Sequence, residues 1–172
     1  MKILSWVGIM LTLVLAGFAA TASQPQDALA VTDITCPQSG TCTGTNGDDD
    51  IHGTDGNNII DAKAGIDQVW GKGGDDQIVG GDNGDGIEGG NGSDFIQGGN
   101  GPDTLQGQGG QNNDVRGGDG NNDDVRAQNG YTSDHLSGGP GSGDRCAGDW
   151  DVSSGQHDQL DSSCEFKIWQ YI

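Results

Sequence analysis

The chain has 172 residues, of which 34 are glycine, and its 26 acidic residues outnumber its 7 basic ones to give a formal net charge of −19. Only 31% of the residues are hydrophobic, and many of these fall within the first 22. The remainder is too poor in apolar groups for an ordinary enzyme core. The charge excludes nucleic acid and anionic membranes as natural partners and favours cations as ligands.

The first 22 residues are predicted to be a secretory signal peptide. Lys2 precedes the apolar run 3–18, and the small residues Ala20 and Ala22 provide a cleavage site. A second small-residue site ending at Ala30 leaves the start of the mature chain open. The apolar run is short for a membrane-spanning helix. We therefore expect a secreted, extracellular protein, with no membrane insertion of the mature chain.

Four cysteines lie in two local groups, Cys36 with Cys42 and Cys146 with Cys164, one on each side of the glycine-rich region. In an exported protein, four cysteines predict two disulfides. Three pairings are open. Proximity in the sequence favours Cys36 with Cys42 and Cys146 with Cys164.

Between residues 44 and 147, single apolar residues recur at a nearly constant interval. The interval is nine residues from Ile51 to Leu105, and ten or eleven from there to Cys146. Two residues before each apolar position stands an aspartate or an asparagine; these eleven are Asp49, Asn58, Asp67, Asp76, Asp85, Asp94, Asp103, Asn113, Asp123, Asp134 and Asp144. Their fixed phase favours a repeat fold over a disordered Gly/Asp-rich segment.

Several turns resemble a known repeat. GGNGSDFIQ (89–97), GGNGPDTLQ (98–106) and GTNGDDDIH (44–52) are similar to the GGxGxDxUx nonapeptide of the repeats-in-toxin (RTX), or haemolysin-type, calcium-binding proteins. The resemblance implies an all-β fold, a parallel β-roll or two-sided β-solenoid of about eleven half-turns. It also implies that calcium lies between loops stacked on the same side, held by loop carbonyls and by the aspartate at the sixth position.

The residue types in the loops suit calcium. Calcium takes six to eight oxygen ligands, and glycine lets the backbone turn several carbonyls toward one point. Only two of the 26 acids, Glu88 and Glu165, are glutamate. The shorter aspartate suits a ligand that starts from the same loop. We expect the eleven Asp and Asn positions to bind several structural calcium ions. One apolar residue per half-turn is also too thin a core to offset backbone entropy, so folding is expected to depend on the metal.

The segments 23–43 and 148–172 are predicted to cap the roll at 44–147, because a solenoid exposes its first and last rungs. The two disulfides would staple these caps. Five residues are expected to lie over the last rung: Trp150, Leu160, Phe166, Ile168 and Trp169.

The sequence favours a non-enzyme. His52, His135 and His157 are far apart and form no HExxH motif, and no GxSxG elbow is present. The alternative function is an extracellular adhesin, matrix or ice-binding solenoid that uses the outer face of the roll. No regular threonine row supports ice binding. Trp70 and Phe95 face outward, but nothing in the sequence identifies a glycan or surface protein as the partner.

Overall fold

The computed structural model describes residues 31–172, so the predicted signal peptide and its two cleavage sites lie outside it. No helix in this range is long and apolar enough to span a membrane. The described residues form the following strands: β1 Thr32–Thr35, β2 Gly40–Thr43, β3 Asp49–His52, β4 Asn58–Ala64, β5 Gln68–Gly73, β6 Gln77–Asp82, β7 Gly86–Asn91, β8 Phe95–Asn100, β9 Thr104–Gln106, β10 Asp114–Asp119, β11 Asp124–Arg126, β12 His135–Ser137, β13 Arg145–Asp151, β14 Gln156–His157, β15 Gln159–Leu160 and β16 Phe166–Tyr171.

Successive strands alternate between two sheets. Sheet A contains the odd-numbered strands β1 to β13 with β14 and β16, and sheet B contains the even-numbered strands β2 to β12 with β15. Within the repeat the pairing is parallel. Ile51 lies opposite Val69 in sheet A, and Ile60 lies opposite Ile78 in sheet B. One full turn therefore takes two nonapeptides. The predicted all-β, two-sided parallel β-solenoid is confirmed, with about eight turns in the described chain.

The nine-residue period places one apolar side chain per half-turn between the sheets. Ile51, Val69, Ile78 and Leu105 are fully buried. Side chains alternate between the two faces of a strand, so the neighbours of these residues point outward. Burying each Ile, Leu or Val contributes about 1.5–3 kcal/mol. The core is thus a single narrow column running along the solenoid.

The longer repeats after Leu105 leave the register intact. Val115 still lies opposite Ile96, and Val125 lies opposite Leu105. The strands β9, β11 and β12 are each three residues long. The inserted residues are therefore accommodated in the loops, while the apolar column continues unbroken.

Both ends extend the sheets. Ile34 lies opposite Ile51, and Cys42 lies opposite Ile60, so residues before 44 form rungs of their own. Leu160 lies opposite Leu136 after the predicted limit at 147. The disulfides join Cys36 to Cys42 and Cys146 to Cys164, as the local pairing predicted.

The prediction that five residues of the C-terminal segment lie over the last rung is wrong in part. Phe166 is 57% exposed and Ile168 is 39% exposed, because β16 pairs with β13 and continues sheet A. Leu160 packs against the core as expected. Trp150 and Trp169 contact each other edge to face, with ring centroids 5.8 Å apart.

Candidate metal centres

The Asp and Asn side chains two residues before each core position are enclosed in the solenoid. All eleven are buried, with at most 3% of any residue exposed. Because half-turns alternate between the sheets, they form two rows. The first ladder lies at the start of sheet A strands or immediately before them, and comprises Asp49, Asp67, Asp85, Asp103, Asp123 and Asp144. The second ladder lies in the same way at sheet B strands, and comprises Asn58, Asp76, Asp94, Asn113 and Asp134.

Hydrogen bonds link each ladder from one turn to the next. The backbone N–H of Asp67 donates to Oδ1 of Asp85 at 2.9 Å, and that of Asp85 donates to Oδ1 of Asp103 at 2.8 Å. The second ladder repeats the pattern, with the N–H of Asp76 donating to Oδ1 of Asp94 at 2.9 Å. In every ladder carboxylate except Asp49, one oxygen therefore holds the neighbouring turn in register.

The second carboxylate oxygen has no partner in seven of these residues. Oδ2 is buried and makes no hydrogen bond in Asp67, Asp76, Asp85, Asp94, Asp103, Asp123 and Asp144. A buried charge without compensation strongly disfavours folding. Each of these oxygens thus needs either a proton or a cation.

Glycine at the first repeat position leaves open space beside these oxygens. A Cβ built at Gly71 would lie 2.5 Å from Oδ2 of Asp76, and one at Gly80 would lie 2.6 Å from the carbonyl oxygen of Gly98. Real Cβ atoms do not approach oxygens so closely, so only glycine fits. A carboxylate oxygen and a carbonyl oxygen from the next turn therefore line one cradle. Four half-turns share this arrangement, with the pairs Gly71/Asp76, Gly80/Asp85, Gly98/Asp103 and Gly117/Asp123. In two more, Gly89/Asp94 and Gly138/Asp144, the glycine lies beside the unpartnered carboxylate oxygen.

Burial shifts the titration of the ladder carboxyls. It raises the pKa of Asp85 and of Asp103 to about 7, against the opposing effect of the backbone N–H that each accepts. It raises the pKa of Asp76, Asp94 and Asp123 to about 6. Repulsion between stacked carboxylates adds to the shift; Asp67, for example, raises the pKa of Asp85. These five carboxyls are therefore harder to ionise than a solvent-exposed aspartate, and Asp85 and Asp103 most of all.

Four of the eleven predicted ligands differ from the rest. Thr45 donates its backbone N–H to Oδ2 of Asp49 at 2.6 Å and its hydroxyl to Oδ1 at 3.1 Å. Thr54 bonds Oδ1 of Asn58 in the same way. These two turns close through protein hydrogen bonds, so their side-chain oxygens already have partners.

The other two lie in the second ladder. Oδ1 of Asn113 accepts the N–H of Asp94, which leaves its Nδ2 buried without an acceptor. An amide nitrogen is no ligand for a cation. Oδ2 of Asp134 accepts a hydrogen bond from Nδ2 of Asn129 at 2.9 Å. The unpartnered carboxylates are consequently consecutive in the first ladder but limited to Asp76 and Asp94 in the second.

Sequence reasoning missed two buried acids beyond residue 147. Asp158 extends the second ladder, because its Oδ1 accepts the N–H of Asp134 at 3.1 Å. Asp149 accepts the N–H groups of Asn129 and Gly130 with Oδ2, and its Oδ1 is unpartnered. Asp158 precedes the core residue Leu160 by two positions, which is the spacing that could have identified it.

Side chains alone do not complete a metal site. Among residues 31–172, no group of three or more His, Cys, Asp or Glu side chains is placed to hold an ion. Calcium needs six to eight oxygens at 2.3–2.6 Å. Any calcium held here must therefore take most of its ligands from loop carbonyls, which are what the glycine-lined cradles present.

Comparison with known proteins agrees with this geometry. The family model described as RTX calcium-binding nonapeptide repeat (4 copies) matches residues 43–78, 52–87 and 88–123. Residues 43–123 are RTX calcium-binding repeats. The chain is thus a calcium-binding repeat protein built as a β-solenoid. No curated protein and no solved structure matches the chain.

Proposed function

We propose that this RTX protein is a secreted module that folds as it binds several structural calcium ions. The observation that carries the proposal is the set of seven buried carboxylate oxygens without partners, six of them beside a glycine, which in four half-turns leaves a cradle that a carbonyl oxygen also lines. Hard, oxygen-preferring Ca²⁺ matches this donor set. In this proposal the ions have no catalytic role, and the chain is not an enzyme.

Stacked like charges give the reason for folding on binding. In the first ladder the unpartnered carboxylates of Asp67, Asp85, Asp103, Asp123 and Asp144 occur in five consecutive turns. Ionising neighbours in a low-dielectric interior is costly, and each cation between them replaces repulsion by attraction. The free energy of binding is then also free energy of folding.

The cradles are not equivalent. We assign calcium to the turns of Asp76, Asp85, Asp94, Asp103, Asp123 and Asp144, in which a glycine precedes the unpartnered oxygen. The turn of Asp67 begins with Ala62, which carries a methyl group at the position that glycine leaves open in the others. We expect that site to be weaker. No ion is assigned to Asp49, Asn58, Asn113 or Asp134.

Secretion is supported by two features. The N-terminal 22 residues have the pattern of a signal peptide. The Cys36–Cys42 and Cys146–Cys164 disulfides fit an oxidising compartment. Outside the cell, calcium in the range of about 10⁻⁴ to 10⁻³ M is enough to load weak modular sites. The chain would therefore cross the membrane unfolded and fold on release.

Calorimetric titration of the purified mature chain tests the proposal. Calcium should bind with a stoichiometry of several ions per chain. Magnesium is the matched control, because it demands a smaller octahedral shell and keeps its waters. It should produce little heat and no folding. Binding of a single calcium ion, or equal responses to both metals, would contradict the proposal.

A further inference from the structure

The outer face of sheet A carries an aromatic ring beside a depression. Trp70 on β5 stacks on His52 of β3, with ring centroids 4.7 Å apart and planes inclined by 13°. The strands after β5 in this sheet are β7 and β9, on the side away from β3. The face of the indole that His52 does not cover therefore borders the outward side chains of β7 and β9.

A groove runs along these strands. A depression of about 370 Å³ lies over Gly86, whose missing side chain interrupts the outward row between Gln68 and Thr104. A second depression of about 200 Å³ continues it and shares Trp70 and Glu88. The name sheet A groove is used here for the surface lined by Gln68, Trp70, Gly86, Glu88, Thr104 and Gln106.

The polar side chains of the sheet A groove have spare hydrogen-bonding capacity. Within residues 31–172, protein hydrogen bonds of polar side chains concentrate in the loops and ladders. None of them uses the amides of Gln68 and Gln106, the hydroxyl of Thr104, the carboxylate of Glu88 or Nε1 of Trp70. Donors and acceptors thus surround an aromatic face without being engaged by the protein.

We propose that the sheet A groove binds a neutral saccharide chain. The free indole face packs against the apolar C–H face of a pyranose ring, while the two amides, the hydroxyl and the carboxylate exchange hydrogen bonds with sugar hydroxyls. The larger depression has the volume of a small-ligand site. An elongated groove along the strands suits several linked sugar units.

Charge selects the neutral class of sugar. The protein carries a net charge of −19, and Glu88 lies in the middle of the groove. A polyanionic glycan would be repelled. Lys72 lines the smaller depression but not the larger one that lies over Gly86. A carboxylate such as Glu88 instead accepts hydrogen bonds from sugar hydroxyls.

Binding is tested on the folded mature chain in calcium, with hexasaccharides of glucose, mannose and N-acetylglucosamine as probes and polygalacturonate as the anionic comparison. Calorimetry should detect at least one neutral hexasaccharide and no polygalacturonate. Trp70→Ala should weaken that affinity by at least about tenfold. Circular dichroism of each variant shows whether the roll has folded, which separates loss of binding from loss of structure.

Two further variants sharpen the test. Gly86→Val keeps Trp70 but fills the depression over residue 86. The atoms nearest to the added Cβ all belong to the flexible end of the Gln68 side chain, with Oε1 at 2.6 Å. This substitution should also abolish binding. Phe95→Ala removes an outward aromatic on sheet B, where Phe95 contacts Arg116, and should leave affinity unchanged. The proposal is overturned if no neutral hexasaccharide binds, if only polygalacturonate binds, or if Trp70→Ala and Gly86→Val both bind like the wild type.

Discussion

At the scale of single residues, the two oxygens of each ladder aspartate have different tasks. Oδ1 of Asp85 accepts the N–H of Asp67 and fixes the turn, whereas its Oδ2 is buried without a partner. Asparagine can perform the first task but not the second, as Asn113 shows within the ladder itself. This division permits a substitution that separates register from metal binding.

Asp85→Asn should have opposite effects with and without calcium. The Oδ1 bond to the Asp67 N–H is retained, but the anionic Oδ2 is replaced by an amide. In calcium, the stoichiometry should fall and unfolding should become easier by about 1–3 kcal/mol. In a chelator, strand formation should improve, because a buried charge has been removed. Calorimetry and thermal melts monitored by circular dichroism measure both effects.

Asp134→Asn is the matched control for this substitution. Oδ2 of Asp134 already accepts a hydrogen bond from Asn129. Its loss of charge should leave the calcium stoichiometry unchanged. If Asp134→Asn lowers the stoichiometry as much as Asp85→Asn, the distinction between partnered and unpartnered carboxylates has no bearing on calcium binding.

The same carboxyls predict an unusual pH dependence for the metal-free chain. Burial raises the pKa of Asp85 and Asp103 from 3.8 to about 7. The folded state then binds more protons than the unfolded state between these values, so folding is favoured at low pH and disfavoured as pH rises through 7. In chelator, the strand signal at about pH 4.5 should exceed that at about pH 8. An equal or larger signal at the higher pH would contradict this.

Calcium affinity should rise with pH, whereas the stability of the metal-free fold should fall. Protons compete with the metal for the same oxygens. The apparent affinity measured by titration should therefore fall as pH drops from about 7 to about 5, where Asp85 and Asp103 become protonated. An affinity that is constant over this range would show that these carboxylates do not bind the ion.

The sequence predicts the position of the ladder residues but not their partners. The spacing to the core residue identifies all eleven, because it depends only on the repeat. Whether an oxygen is free depends on a residue elsewhere in the loop, such as Thr45 beside Asp49 or Asn129 beside Asp134. The threonines at the second repeat position of the first two turns were the available signal for those exceptions.

At the scale of the half-turn, each nonapeptide consists of a loop and a strand. The loop must leave space for an ion, and the strand must stay in register with its neighbours. Gly80 has no unusual backbone dihedral, so its importance lies in the room beside its Cα. Other positions do require a left-handed backbone. Lys63 and Lys72 adopt φ of 84° and 75° where the next three half-turns have Gly81, Gly90 and Gly99, a feature that the sequence did not reveal.

Gly80→Ala should remove one calcium site. The added methyl group would meet Oδ2 of Asp85 and lie 2.6 Å from the carbonyl oxygen of Gly98. The calcium stoichiometry measured by calorimetry should fall, and the transition midpoint should move to higher calcium. Gly47→Ala is the control, because its nearest neighbour would be Oγ1 of Thr45 at 3.8 Å. Equal effects of the two substitutions would argue against the cradle.

The register of the repeat was predictable from the sequence, whereas the positions of the first and last rungs were less predictable. A constant interval of nine fixes which residues stack, and the structure pairs them as expected, for example Ile60 with Ile78. The end rungs depart from that interval. Ile34 lies eight residues before Cys42, across the loop that the Cys36–Cys42 disulfide closes, and Leu160 lies fourteen residues after Cys146. Disulfides and hairpins hold these rungs where the period no longer does.

At the scale of the whole molecule, the large net charge and the small core both disfavour folding. A net charge of −19 opposes compaction, and the burial of one column of single apolar residues offsets little of this repulsion. The ends are secured without metal, by Thr45, Thr54 and two disulfides. The seven ladder carboxylates that have an unpartnered oxygen lie between them. Cations would therefore act on the central turns, where repulsion is concentrated.

Circular dichroism of the mature chain during a calcium titration at neutral pH tests the central claim most directly. The disulfides should be intact, and the calcium concentration should run from chelator to several times about 10⁻³ M. We expect little strand signal in chelator, and a cooperative rise to the full strand signal as calcium is added. A full strand signal in chelator that calcium does not change would show that the roll folds without the metal.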